Sequence, residues 1–188
     1  RHQSVETVTM VEIDEGVIAF SKTYLPTLSD GAFDDPRLNL VIADGLDFMI
    51  ESVDRFDVII IDSTDPIGPG AVLFTDHFYS NAKRRLAVDG VLVTQNGVPF
   101  MQPDELQGTM HAFQRLFVDW GCYTACIPTY AGGPMAFGWG ALSAAPRNVS
   151  VDVLRERLVA ARLDPAYYTP DVHKAAFSLP GYIEKLLP

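Results

Sequence analysis

Phe56-Asp57-Val58-Ile59-Ile60-Ile61, continued without a break by Asp62-Ser63-Thr64-Asp65-Pro66-Ile67-Gly68-Pro69, is the stretch on which the fold turns. The first part is a short apolar run rich in β-branched residues and bounded by turn residues. It reads as a buried strand of a parallel sheet. The second part is a Pro/Gly loop at that strand's C-terminal end, the edge where open α/β sheets place their ligands. The loop carries two carboxylates three residues apart and no neighbouring Lys or Arg. Such a pair suits holding a cation, accepting a proton, or both.

Outward from this stretch, strands and helices alternate. Val8 to Ile13 reads as a strand, and Glu15 to Leu25 as a helix that Pro26 stops. Asp30 to Pro36 is a loop, Leu38 to Ala43 a second strand, and Leu46 to Val53 a short helix behind Asp44-Gly45. After the acidic loop, Asp76 can cap a helix running to Leu86. Asp89-Gly90 then turns the chain into a strand, Val91 to Gln95. Pro103 and Asp104 open a helix through Phe117. Cys122 to Pro128 and Met135 to Leu142 are strand-like, joined by a hairpin loop over Tyr130 to Pro134. Val151 to Arg162 is a last amphipathic helix before a tail with Pro and Tyr. Four strand–helix units and a terminal hairpin imply a doubly wound, mostly parallel α/β sheet. The closing antiparallel hairpin makes it a Rossmann-like variant of the class I methyltransferase type. Residues 1–188 show no repeat and no internal boundary, and read as a single domain.

Composition narrows the function. The 188 residues carry 14 Lys+Arg against 24 Asp+Glu, a net charge of −10. An acidic surface argues against nucleic acid or an anionic membrane as partner, since phosphate neutralisation needs a basic face. It is compatible with a cationic substrate. No apolar run approaches a membrane span. Cys122 and Cys126 fall in one strand about 13 Å apart, too far for a disulfide. Free thiols fit a cytoplasmic location, and nothing supplies the spaced ligands of a zinc site.

The remaining candidates lie at strand ends. Glu12 closes the first strand, where an acid can accept hydrogen bonds from ribose hydroxyls or stand solvated; Asp14 nearby suits a helix cap. Asp44 can accept from an adenine amino group while Gly45 lets the backbone approach the ring. Read as a bare dipeptide, they are an N-cap and a turn. Acids at three successive strand ends together outline an adenosine site. Asp62 and Asp65 can hold a diamine, and one can take a proton as the amine attacks. Gln95-Asn96-Gly97 offers a polar wall at the same edge. The Tyr130 hydroxyl is available to a substrate amine, or else is satisfied in a buried site. His77, His111 and His173 lack partners at catalytic spacing and read as surface or packing residues.

These segments resemble the spermidine synthases, the polyamine aminopropyltransferases, especially of the bacterial type. The likeness runs through Val11-Glu12-Ile13-Asp14, Tyr24-Leu25-Pro26, Asp34-Asp35-Pro36-Arg37, Asp44-Gly45, Asp62 to Pro69, Leu73-Phe74, Gln95-Asn96-Gly97, Ile127-Pro128-Thr129-Tyr130 and Ala175 to Pro180. The resemblance implies transfer of an aminopropyl group from decarboxylated S-adenosylmethionine to putrescine, giving spermidine and 5′-methylthioadenosine. By position, Glu12 would bind the ribose, Asp44 and Gly45 the adenine, and Pro69 the ring face. Asp62 would be the base and Asp65 the diamine anchor, with Ser63, Gln95 and Tyr130 completing the acceptor site. No metal or redox cofactor is implied, and the complete protein would be a homodimer or homotetramer. The family's glycine-rich loop, its first strand and its N-terminal β domain are absent from these residues, and Arg1-His2 resembles the end of the helix after that loop. The resemblance therefore implies an incomplete catalytic domain, inactive alone. The rival readings are a putrescine N-methyltransferase using S-adenosylmethionine and a non-catalytic partner module.

Overall fold

A computed structural model describes residues 2–188, so the Arg1 half of the Arg1-His2 helix end lies outside the described residues. The chain divides into two compact units, Arg1–Ser52 and Val53–Pro188.

In the first unit, β1 (Val8–Glu12) and β2 (Leu38–Ile42) pair in parallel, from Val8 opposite Leu38 to Glu12 opposite Ile42. The connection runs through α1 (Glu15–Tyr24), α2 (Pro26–Ser29) and a 3-10 turn, Ala32–Asp34. Pro26 ends α1 as expected, but at the first position of a helix its missing N–H costs nothing, so it starts α2. The unit closes with α3 (Gly45–Glu51). Arg37 ties the unit's start to β2: its guanidinium donates to both oxygens of Asp35, at 2.9 and 2.7 Å, and to the carbonyls of His2 and Val5. The same guanidinium holds the Asp35 carboxyl well below the usual carboxylate range.

The second unit is a four-stranded sheet ordered β3 (Phe56–Ile61), β4 (Leu86–Gln95), β6 (Met135–Ala141), β5 (Asp119–Ala125). β3 runs parallel to β4, whereas β6 is antiparallel to both of its neighbours, which is the expected terminal hairpin. Alternation along β6 sorts its two faces. Gly138 and Gly140 face α5 (Pro103–Leu116) and its C-terminal extension, where a Cβ on Gly138 would meet Thr94 Oγ1 at 2.4 Å and one on Gly140 would meet the Phe117 ring at 2.6 Å. Phe137 and Trp139 face the other way. Phe137 stacks on Tyr123 at 5.2 Å, and Phe177, which follows α7 (Pro170–Ala176), packs edge-on to Trp139. Between the sheet and α4 (Asp76–Arg84) and α5 lies the core of this unit, with Phe78, Tyr79, Leu92, Leu106, Met110 and Phe113 buried. α6 (Val151–Ala160) and α8 (Gly181–Glu184) complete it.

Several expectations need correcting. β3 is parallel but, within the described residues, only partly buried: Ile59 is enclosed, whereas Val58 and Ile60, on the opposite face of the strand, are 55% and 70% exposed. Thr75, not Asp76, caps α4; its side chain accepts from Phe78 N, while Asp76 in the first turn pairs with Arg115. Asp89-Gly90 does not precede the strand but sits within β4, with Asp89 at φ 60° and a register shift against β3. Cys126 lies just past the end of β5, and both cysteines are free. The tail with Pro and Tyr contains two short helices not assigned above: Thr169 caps α7, and α8 follows.

Candidate active site

In the first unit the parallel register brings the C-terminal ends of β1 and β2 side by side, with Ala43 N donating to Glu12 O. Glu12 and Asp44 therefore share one edge. Glu12 Oε1 accepts from Asp14 N at 3.0 Å, which fixes the carboxylate. Asp14 caps α1 through Gly16 N. Asp44 caps α3, its Oδ1 accepting from Leu46 N at 2.7 Å and more weakly from Asp47 N. The capping role read from the dipeptide is thus present, and it leaves Oδ2 of the same carboxylate outside the cap bonds. Gly45 is the first residue of α3, directly beneath that cap.

In the second unit the pairing of Ile61 with Thr94 sets the ends of β3 and β4 together. Asp62, Ser63 and Asp65 leave the end of β3, and Gln95 is the last residue of β4. β5 points the same way as β4, so Tyr130, in the turn after it, lies at the same edge of this sheet. Asp62 and Asp65 are both exposed and take part in none of the ion pairs among the described residues. Within their loop Ile67 N donates to Asp65 O at 2.6 Å. The loop passes into a 3-10 segment, Gly68–Phe74, that contains Pro69. Tyr130 is 54% exposed, which sets aside the buried alternative for its hydroxyl.

The Gln95-Asn96-Gly97 segment divides its labour. Asn96 is fully buried and is not part of a wall facing solvent. Its Oδ1 accepts from Thr94 Oγ1 and Gly138 N, and its Nδ2 donates to Thr109 Oγ1, which also meets the Tyr79 hydroxyl at 3.0 Å. A satisfied buried network of this kind rigidifies the strand end. Gln95 is also buried, yet its Oε1 has no hydrogen-bond partner, and neither has the buried Ser63 Oγ. Buried polar atoms without partners are uncommon and point to a ligand or solvent role.

One residue of this edge was not found from sequence. Glu105, in the first turn of α5, has both carboxylate oxygens buried without a hydrogen-bond partner. Burial, aided by the negative charge of Asp65, pushes its pKa up to about 7. From sequence it is one acid among several in a helical first turn, where acids are ordinary. Only the fold sets it against Gly97, which it approaches closely: a Cβ there would lie 3.4 Å from Glu105 Oε2 and 2.7 Å from Gln102 Oε1. Gly97 also holds φ 60°, a left-handed conformation that favours glycine. The histidines lie elsewhere: His77 and His111 are exposed, and His173 packs against Tyr168 and Phe177. Among the described residues, no group of three or more His, Cys, Asp or Glu is arranged to hold a metal ion. No helix among them is long and apolar enough to cross a membrane.

Strand-end carboxylates on an α/β scaffold of this kind lie at the edge where such sheets bind ligands, and comparison with known proteins gives the family. Residues 1–148 match the family described as the spermine/spermidine synthase domain, and the chain belongs to that family. It is 67% identical, over all 188 residues, to a polyamine aminopropyltransferase of Ruegeria sp. (strain TM1040) and covers 66% of that protein. It is 51% identical over 183 residues to polyamine aminopropyltransferase 1 of Pseudomonas aeruginosa, covering 64% of it. The chain thus spans just under two thirds of the length of these relatives. Among solved structures, a spermidine synthase in complex with the transition-state analogue AdoDATO superposes with a TM-score of 0.90 at 33% identity, over 99% of this chain and 62% of that one. The spermidine synthase of Thermotoga maritima gives 0.88 at 33% identity, with the same coverage. The α/β architecture is therefore that of the spermidine synthase fold.

Proposed function

We propose that residues 1–188 belong to the catalytic domain of a polyamine aminopropyltransferase, which transfers the aminopropyl group of decarboxylated S-adenosylmethionine to putrescine. In this reading Glu12 binds the donor's ribose, Asp44 and Gly45 its adenine, and Pro69 the ring face. Asp65 anchors the diamine, and Ser63, Gln95 and Tyr130 complete the acceptor site. Asp62 is the base. The observation that carries the reading is the Asp62/Asp65 pair: two exposed carboxylates on a Pro/Gly loop, unpaired by any cation among the described residues, beside the buried Oε1 of Gln95 and Oγ of Ser63.

The chemistry follows from the acceptor. An alkyl amine has a pKa near the lysine value of about 10.4, so freeing its lone pair at pH 7 costs about 4–5 kcal/mol. A carboxylate that takes the proton as the C–N bond forms lowers that cost. The nitrogen lone pair attacks the methylene next to the sulfonium, and the C–S bond breaks. Its electron pair returns to sulfur, and neutral 5′-methylthioadenosine leaves. The sulfonium is its own leaving group, so the reaction as read calls on no metal or redox cofactor. The remaining task is alignment, which the constrained loop serves. The working protein is read as a cytoplasmic homo-oligomer with no nucleic-acid or membrane partner.

In the protein that carries this chain, incubation with putrescine and the decarboxylated donor should yield spermidine and methylthioadenosine in equal amounts, followed by mass spectrometry. Asp62→Asn should lower kcat by about 10²–10⁴. Formation of methylputrescine from S-adenosylmethionine, with no aminopropyl transfer, would overturn the reading in favour of an N-methyltransferase.

A further inference from the structure

Resting on that reading of the acceptor site, Glu105 calls for a role of its own. A glutamate at the third position of a helix can fold back to the backbone N–H of the cap residue, but here that N–H, of Gln102, donates to Val98 O at 2.9 Å. Neither oxygen of Glu105 accepts any hydrogen bond, although both are buried. Gln102, at the cap position, makes no side-chain cap either. A carboxylate left in this state is costly unless something else meets it.

The surroundings say what that is. From the loop after β3, Asp65 faces it with a second negative charge. From α4, Tyr79 feels the charge of Glu105, but its hydroxyl is already spent on Thr109 and is pushed far above its ordinary range by burial. No lysine or arginine is among the groups that act on Glu105. Nearby, the buried Oε1 of Gln95 and Oγ of Ser63 are likewise unpartnered. A group that suits these oxygens is a donor that carries positive charge and several N–H groups. An alkylammonium supplies three.

We propose that Glu105 is a third carboxylate of the acceptor site, which together with Asp65 takes the ammonium of the diamine that does not react. Asp62 is left to serve the reacting nitrogen. The arrangement selects an acceptor with two cationic ends over a monoamine, because only the second ammonium satisfies Glu105.

The test is calorimetric titration of the full chain with putrescine and, separately, with 1-aminobutane, the same carbon chain lacking one amine. Glu105→Gln should weaken putrescine about tenfold or more, the loss of one charge-assisted bond, and change 1-aminobutane about twofold or less. Glu105→Asp should recover part of the loss. Thermal unfolding of each variant checks that it is folded, and the ratio between the two ligands is a readout that a merely structural role would not move. If Glu105→Gln binds putrescine like the unsubstituted chain while Asp65→Asn binds it weakly, Glu105 is no part of the site and the inference falls alone. Equal losses for both amines would also overturn it. If the folded, unsubstituted chain binds no diamine, or Asp65→Asn has no effect, the reading of the acceptor site falls and takes this inference with it.

Discussion

Glu105 shows how much one buried carboxyl can carry. Its folded pKa, about 7, lies above the ordinary value of 4.5, so the folded state favours the protonated form. The cost of burying it ionised is absent below about pH 4.5, grows as pH rises towards 7, and is complete above that. Glu105→Gln removes the charge and keeps the shape. Urea unfolding should therefore show the variant gaining stability over the unsubstituted chain above pH 7, and no difference near pH 4.5. Because Glu105 as a whole is only partly buried, solvent screening limits the gain to about 1–2 kcal/mol. A variant less stable at pH 8 would mean that the carboxylate is satisfied by a bond the geometry does not contain. Gaining stability by losing a polar residue is the pattern expected where a site is kept for binding rather than for folding. Asp62 and Asp65 could be picked out from sequence because their loop isolates them. Glu105 could not, because its distinction is the absence of a partner, and partners are visible only once the chain is folded.

At the scale of elements, strand β6 shows what alternation encodes. Met135-Ala136-Phe137-Gly138-Trp139-Gly140-Ala141 places large rings on one face and glycine on the other, and the glycine face is where Phe113 and Phe117 of the α5 segment close on the sheet. Gly138→Ala would drive a methyl into Thr94 Oγ1 and Asn96 Oδ1, at 2.4 and 2.8 Å. It should cost about 1–3 kcal/mol in chemical unfolding and, by disturbing the Asn96 network, loosen the end of β4 that carries Gln95. No measurable loss would show that the network yields easily. The elements themselves were largely legible: apart from β4, which starts five residues before the expected Val91, the strands and long helices lie within about three residues of where periodicity and caps put them. The misreadings share a cause. Thr75 and Asp76 are both good caps, and only the bond to Phe78 N decides between them. Asp89-Gly90 carries the signature of a turn, yet the chain remains paired on either side of it, so the left-handed residue became an irregularity within β4. The tail's helices α7 and α8 are too short for periodicity to announce them.

For the whole molecule, each unit offers carboxylates at the C-terminal edge of its own parallel strand pair: Glu12 and Asp44 in one, Asp62 and Asp65 in the other. The alternation of strands and helices made this edge readable before any coordinate, since the rule that ligands bind there depends on strand direction alone. Burial was less readable. The apolar run Phe56–Ile61 looks the same whether a neighbour covers it or, as here for Val58 and Ile60, does not. On the proposed reading, Glu12 and Asp44 of the first unit bind the nucleoside, and Asp62 and Asp65 of the second bind the amine. The most direct test is calorimetric binding of 5′-methylthioadenosine to this chain and to Asp44→Ser, a substitution that keeps a capping oxygen for Leu46 N while removing the carboxylate. The account predicts saturable binding that Asp44→Ser weakens by tenfold or so, the loss of a hydrogen bond to a charged group, with α3 intact by circular dichroism. A folded chain that does not bind the nucleoside, or an Asp44→Ser variant that binds it equally well, would contradict it.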